Sequence, residues 1–180
     1  MSFPKRELRR AYDRDAVGYD ERFAELQRVK YAALLDEVEL DPGALVLDLG
    51  GGSGLLLAAL AERVSLERPP LLLDLSAGML REARGRRCRR AQADAESLPL
   101  RSGCVDIAFA VTSLLGTRSQ VLSALLEARR VLRAGGTLAF SLLTSETWEG
   151  LSDDLAACGL ELRAGPLGCG QDTGYVVGVL

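Results

Sequence analysis

The chain has 180 residues, 48% hydrophobic and 26% charged, with a formal charge of −3 and no histidine. That length and apolar content exclude a disordered chain and suit one domain that buries its core without disulfide or metal staples, and the mild charge speaks against a general nucleic-acid surface. Without histidine there is no Ser-His-Asp or Cys-His nucleophile pair, no His-ligated zinc and no imidazole base, so chemistry must rest on carboxylates, tyrosines, thiols, backbone dipoles or a reactive cofactor.

The first residues, MSFPKRELRRAYDRD, are polar and charged, unlike an apolar secretory segment, and no apolar run reaches membrane-spanning length. A cytoplasmic location is expected, without membrane association. Cys88, Cys104, Cys158 and Cys169 form no CxxC, so they are expected to be reduced thiols with no metal bound. Of the 22 basic residues only Lys5 and Lys30 are lysine, a bias read as genome composition or a hot habitat. Residues 5–40 hold two helical stretches. The second, from Asp20 to Glu39, sets Phe23, Leu26, Val29, Ala33 and Leu34 on one face. Asp41-Pro42-Gly43 then breaks the chain.

Short apolar runs follow at 44–49, 71–75, 88–94 (weakly), 105–111 and 136–143, separated by helical segments at 55–64, 77–84 and 119–132. This alternation predicts right-handed crossovers and a parallel sheet covered on both faces. Trp148 to Cys158 reads as a helix. LELRAGPL and DTGYVVGVL, joined by a Gly-rich turn, read as an antiparallel pair that puts one reversed strand near that edge.

The strongest local signal is Asp48-Leu49-Gly50-Gly51-Gly52-Ser53-Gly54 between a strand and a helix. Glycines there let a ligand approach the backbone, with N–H groups expected to face it. A dinucleotide fingerprint, G-x-G-x-x-G, would need glycine at position 55, which is Leu55, so an oxidoreductase is the weaker reading. The spacing D-x-G-x-G-x-G instead resembles motif I of the class I S-adenosylmethionine-dependent methyltransferases. The resemblance continues in order. Asp74-Leu75-Ser76 and Met79 follow the second strand, Asp94-Ala95 in DAESLPL follow the third, and EARRVLRAGGTLAFS is similar to the helix, Gly-Gly turn and fifth strand of that group. It covers about residues 12–145 and is nearest the small subgroup that includes ubiquinone and menaquinone biosynthesis methyltransferases.

The resemblance implies an α/β, Rossmann-like three-layer sandwich with a seven-stranded, mainly parallel sheet and one antiparallel strand near the carboxyl terminus. It implies S-adenosylmethionine as cofactor and S-adenosylhomocysteine as product, lying across the carboxyl ends of strands one, two and four. Asp74 would take the ribose hydroxyls, Asp94 and Ala95 the adenine, and Asp48, Gly50, Gly51, Gly52, Gly54, Leu75 and Met79 complete the cofactor site. Tyr12-Asp13-Arg14-Asp15-Ala16-Val17-Gly18-Tyr19-Asp20 resembles the segment that folds over the cofactor, so residues 1–40 are expected to cover the site, with 41–180 as the core of a single domain. Tyr19 would face the methionyl end, or else pack a helix against the sheet edge. Thr112 would sit near the transferred methyl group, or cap the next segment.

No catalytic residue is singled out. Methyl transfer from a sulfonium is governed by alignment and needs no imidazole, and Tyr12, Asp13, Tyr19 and Asp20 are the nearest candidate bases. Any pH dependence should therefore belong to the acceptor, a tyrosine or a carboxylate. The Asn/Asp-Pro-Pro-aromatic motif that the family carries after the fourth strand for base and amide methylation is missing, which speaks against that substrate class, and the subgroup resemblance alone places a small-molecule acceptor ahead of protein or RNA. Arg81, Arg84, Arg86, Arg87, Arg89 and Arg90 are expected at the sheet edge opposite the ligand, solvated or in an oligomer contact, whereas Lys5, Arg6, Arg9 and Arg10 lie nearer the active face. The alternative to an enzyme is a non-catalytic S-adenosylmethionine-binding scaffold or partner subunit.

Overall fold

A computed structural model describes residues 4–143 and 148–180, so residues 144 and 145 of the resembling span lie outside the described residues. Helix α1 (Lys5–Asp15) and helix α2 (Tyr19–Leu35) come first, then β1 (Val46–Leu49), α3 (Leu55–Ala61), β2 (Leu71–Asp74) and α4 (Ala77–Glu82). After them come β3 (Arg89–Gln92), β4 (Val105–Ala110), α5 (Arg118–Val131), β5 (Leu132–Leu143), α6 (Leu151–Ala157), β6 (Leu160–Cys169) and β7 (Asp172–Val179). The strands form one seven-stranded sheet in the order β3-β2-β1-β4-β5-β7-β6. β1 to β5 run parallel, and β7 runs antiparallel to both its neighbours, as the two terminal apolar runs imply.

The strand period of two sorts the core into two layers. Leu47, Leu49, Ala108, Ala110, Leu138 and Phe140 face α5 and α6, whose Leu125, Ala128 and Leu155 are buried against them. Val46, Leu72, Ile107, Phe109 and Ala139 face the other way, against Leu34 and Leu35 of α2 and Leu56 and Leu60 of α3. Asp48 alternates with Leu47 and Leu49 and therefore shares the α2 side with Val46. Strand order reverses between β1 and β4, and at such a switch point the loops leaving two neighbouring strands diverge and open a crevice at their carboxyl ends.

Two local expectations are corrected. The buried side of α2 consists of Gln27, Lys30, Tyr31, Leu34 and Leu35, while Val29 is half exposed. Helical spacing alone selects the apolar row, but polar partners inside the protein rotate the helix by about a residue. The fifth strand also begins at Leu132 rather than after the two glycines, because Leu132 already pairs with Val105 ahead of a bulge that readmits the ladder at Ile107 and Thr137.

Candidate active site

At the switch point a cleft of about 1150 Å³, open mouth included, lies over the glycine loop. Gly50 and Gly52 adopt φ of 68° and 57°, the left-handed region that a side chain resists. Space matters as well. A Cβ on Gly51 would fall on the Asp48 carboxyl group, and one on Gly52 would come within 2.7 Å of Met79 Cε. The expected outward N–H groups are not seen. Gly50 N–H donates to Leu73 O (2.7 Å), Gly51 to Leu73 O (3.3 Å), Gly52 to Asp74 Oδ2 (2.9 Å) and Gly54 to Gly51 O (2.9 Å). These four glycine N–H groups are thus bonded within the protein, and the missing side chains let Ser113, Asp48 and Met79 pack close to the loop backbone.

Three carboxylates at the ends of β1, β2 and β3 line this cleft. Asp48 is almost fully buried, and its Oδ2 has no hydrogen-bond partner. Burial first, and the charge of Asp74 second, push its pKa up to about 8. Asp74 is also raised, by burial above all, although it accepts Ser76 N–H on Oδ1 (2.7 Å) and Gly52 N–H on Oδ2. Asp94 accepts Glu96 N–H on Oδ1 (3.0 Å), while Oδ2 takes the Lys5 ammonium at 2.6 Å.

Residues of both amino-terminal helices form the opposite wall, among them Lys5, Leu8, Tyr12, Tyr19, Gln27 and Tyr31. α1 is tied down at both ends. Lys5 also reaches Glu96 (2.7 Å), and Asp13 accepts Gly78 N–H and the Ser76 hydroxyl, each at 2.7 Å, at the start of α4. Those two bonds hold the Asp13 carboxyl below its ordinary pKa. Burial raises all three tyrosines of this wall, Tyr12 to about 12.

Thr112, two residues past β4, has φ of 54°, an uncommon conformation for a β-branched residue. Its backbone N–H donates to Ser141 Oγ (2.9 Å), and its hydroxyl donates to Asp172 Oδ2 (2.7 Å) and accepts from Lys30 Nζ (2.9 Å). Ser141 donates to the same Asp172 oxygen at 2.7 Å, and Lys30 Nζ stands 2.9 Å from Asp172 Oδ1 as an ion contact. Both charged side chains are sealed from solvent, so each requires the other.

The sequence-predicted residues Tyr19, Asp48, Gly50, Gly51, Gly52, Asp74, Leu75, Met79, Asp94, Ala95 and Thr112 meet in this cleft. Gly54 stands apart, capping α3 with φ of 78°. Asp13 and Asp20, candidate bases, are engaged elsewhere, Asp20 by the Ser53 hydroxyl and Arg86. Arg86 therefore reaches back to the glycine loop rather than staying at the far edge, and Arg87 donates to Leu66 O. Gln27, Lys30, Ser141 and Asp172 escaped the sequence reading. The signal was available for two of them, since Gln27 and Lys30 share a helical face with Tyr31 and Leu34.

Residues 47–140 match the methyltransferase domain family. The chain belongs to that family. The chain is 38% identical over 154 residues to a malonyl-[acyl-carrier protein] O-methyltransferase of Geobacter sulfurreducens, a match covering 82% of the chain and 57% of the relative. It is 36% identical over 128 residues to a ubiquinone/menaquinone biosynthesis C-methyltransferase of Stenotrophomonas maltophilia, covering 64% and 49%. The chain thus spans about half the length of these relatives. A SAM-dependent methyltransferase structure from Aquifex aeolicus shares its fold, with a TM-score of 0.75 at 19% identity over 93% of this chain and 98% of that one.

S-adenosylmethionine is the cofactor of this family, and the residues present fit it. The glycines let Ser113, Asp48 and Met79 pack against the loop beside the cleft, and a buried carboxylate oxygen there lacks a donor. Among the described residues no helix is long and apolar enough to cross a membrane, and the four cysteines are free.

Proposed function

We propose that the protein is a cytoplasmic methyltransferase that moves a methyl group from S-adenosylmethionine to a small-molecule acceptor. The observation that carries this is the ordered set of carboxylates, Asp48, Asp74 and Asp94, at three successive strand ends over a loop whose glycine N–H groups are already bonded within the protein. A pyrophosphate would be repelled there, whereas a ribose diol, an adenine amine and a cationic amino-acid end each find an acceptor. Bound S-adenosylmethionine supplies an electrophilic methyl group.

The chain's own residues then have positional roles. Asp74 is oriented by Ser76 and Gly52 to receive a diol, and Asp94 keeps an acceptor edge toward the cleft once Lys5 shares it. Tyr12, Tyr19 and Tyr31, all raised in pKa, are neutral donors at physiological pH rather than bases, so the acceptor must bring its own electron pair. α1 and the start of α2 act as the cover that excludes water. The relatives named for malonyl-[acyl-carrier protein] and for quinone methylation support a small acceptor group.

Calorimetry with S-adenosylhomocysteine tests the cofactor, with a micromolar dissociation constant expected. Asp74→Ala should weaken it at least tenfold, the scale of losing a hydrogen-bonding carboxylate in a buried site. Transfer of labelled methyl groups into cell extract, fractionated into protein, RNA and small molecules, identifies the acceptor class. Label in the small-molecule fraction is expected, and cofactor binding without label in any fraction would favour a non-catalytic scaffold.

A further inference from the structure

Among the described residues, Thr112 is the one residue other than glycine with a positive φ, and it lines the cleft. Left-handed backbone is disfavoured for an L-residue and most of all for a β-branched one, so it persists only where surrounding contacts over-determine it. Those contacts come from three distant elements. Ser141 of β5 accepts the Thr112 N–H, while Lys30 of α2 donates to the Thr112 hydroxyl and Asp172 of β7 accepts from it. Ser141 also donates to Asp172, and Lys30 pairs with Asp172, so the three side chains form one connected network around Thr112.

The next residue is pinned to a different part of the sheet. Ser113 donates to Leu49 O (2.7 Å) and packs against Gly50 at the end of β1. Together the two anchors shape the segment from Val111 to Leu115, every residue of which lines the cleft. Lys30, Ser141 and Asp172 do not line it, so they reach the site only through Thr112. A buried ion pair is a poor device for stability alone, because apolar side chains of similar volume fill such a space without the desolvation penalty. What this pair adds is a fixed backbone geometry at one residue of the cleft wall.

We propose that Lys30 and Asp172 are positioning residues for methyl transfer. By holding Thr112 left-handed they set the wall from Val111 to Leu115, against which the acceptor is aligned with the cofactor's reactive methyl group. This rests on the methyltransferase assignment above and extends it to residues outside the cleft. A displaced wall alters the approach of the acceptor, so the clamp acts on transfer rather than on cofactor affinity.

The variant Lys30→Met with Asp172→Asn removes both charges together and leaves no orphaned ion. Below its melting range it should bind S-adenosylhomocysteine within about twofold of wild type in calorimetry. At saturating labelled S-adenosylmethionine, its transfer of label into cell extract should fall about tenfold to hundredfold, the scale of a misalignment of about an ångström. NMR reads the geometry without any reaction. The intraresidue HN–Hα NOE of Thr112, strong for a left-handed residue, should be strong in wild type and weak in the double variant. Adding Thr112→Gly, which takes a positive φ without a clamp, should raise the transfer rate of the double variant about fivefold or more. If the double variant does not fold, Ser141→Ala, which removes the acceptor of the Thr112 N–H, should weaken the same NOE and slow transfer. Transfer within about twofold of wild type, an affinity loss as large as the rate loss, or a Thr112 that stays left-handed overturns the proposal and leaves the cofactor assignment standing. So does a glycine variant without recovery. Wild type that binds no S-adenosylhomocysteine, or transfers no label, overturns the methyltransferase reading as well.

Discussion

Asp48 occupies a position where ionisation is opposed by burial and by a neighbouring carboxylate, so its proton is retained to about pH 8. A raised carboxyl pKa makes the folded state the better proton binder. Its contribution to stability is therefore full below the unfolded value near 4 and is lost as pH rises toward 8. The melting-temperature difference between Asp48→Asn and wild type should accordingly shift in favour of the variant across that interval. Cofactor binding reverses the balance, since a cation beside Asp48 favours the ionised form. Titrations of S-adenosylhomocysteine at pH 6–7, in buffers of different ionisation enthalpy, should show release of up to about one proton per site. Asp48→Asn should abolish the release, and a wild type without buffer dependence would count against a charge change at Asp48.

Among the helices, α1 is distinctive in having no buried residue. It lies over the cleft through polar ties at its two ends, Lys5 to Asp94 and Glu96, and Asp13 to the first turn of α4. Such an element opens at low free-energy cost, because few apolar contacts must be broken. Asp13→Ala removes two charge-assisted bonds and should cost about 1–3 kcal/mol locally. Hydrogen exchange should show residues 5–15 deprotected while β1 and β4 are unchanged. Asp13 has a lowered pKa, so the tie is present above the unfolded value near 4 and is lost as pH falls through the folded one. Element order and the site glycines were legible in the sequence because apolar runs, strand-end acids and turn residues are local signals. The burial side of α2 was not, since it is chosen by Lys30 meeting partners just past β4 and on β7, far along the chain. The outward N–H groups expected of Gly50 and Gly52 failed for a related reason, their acceptors lying on β2.

At the scale of the molecule, the Lys30–Asp172 pair joins α2 to β7 and, through Thr112 and Ser141, to β4 and β5. Removing one partner strands a buried charge. Lys30→Met should destabilise by about 3–5 kcal/mol in urea unfolding, and adding Asp172→Asn should restore a good part of it by removing the orphaned charge. A double variant no more stable than the single one would mean that the lysine stem's packing, not the ion pair, bears the loss.

The position of β7 between β5 and β6 has a consequence for biosynthesis. The sheet's last strand in chain order is an interior strand and carries the carboxylate on which Lys30, far earlier in the chain, depends. Until residues 172–179 leave the ribosome, α2 has a buried lysine without a counter-ion, Thr112 lacks its clamp, and β5 exposes a bare edge. The nascent chain can assemble β1 to β4 early, but the wall of the cleft formed by α2 locks only when translation reaches that final strand. Arrested chains ending before Asp172 should remain protease-sensitive in α2, and release of the full-length chain should protect it in one step.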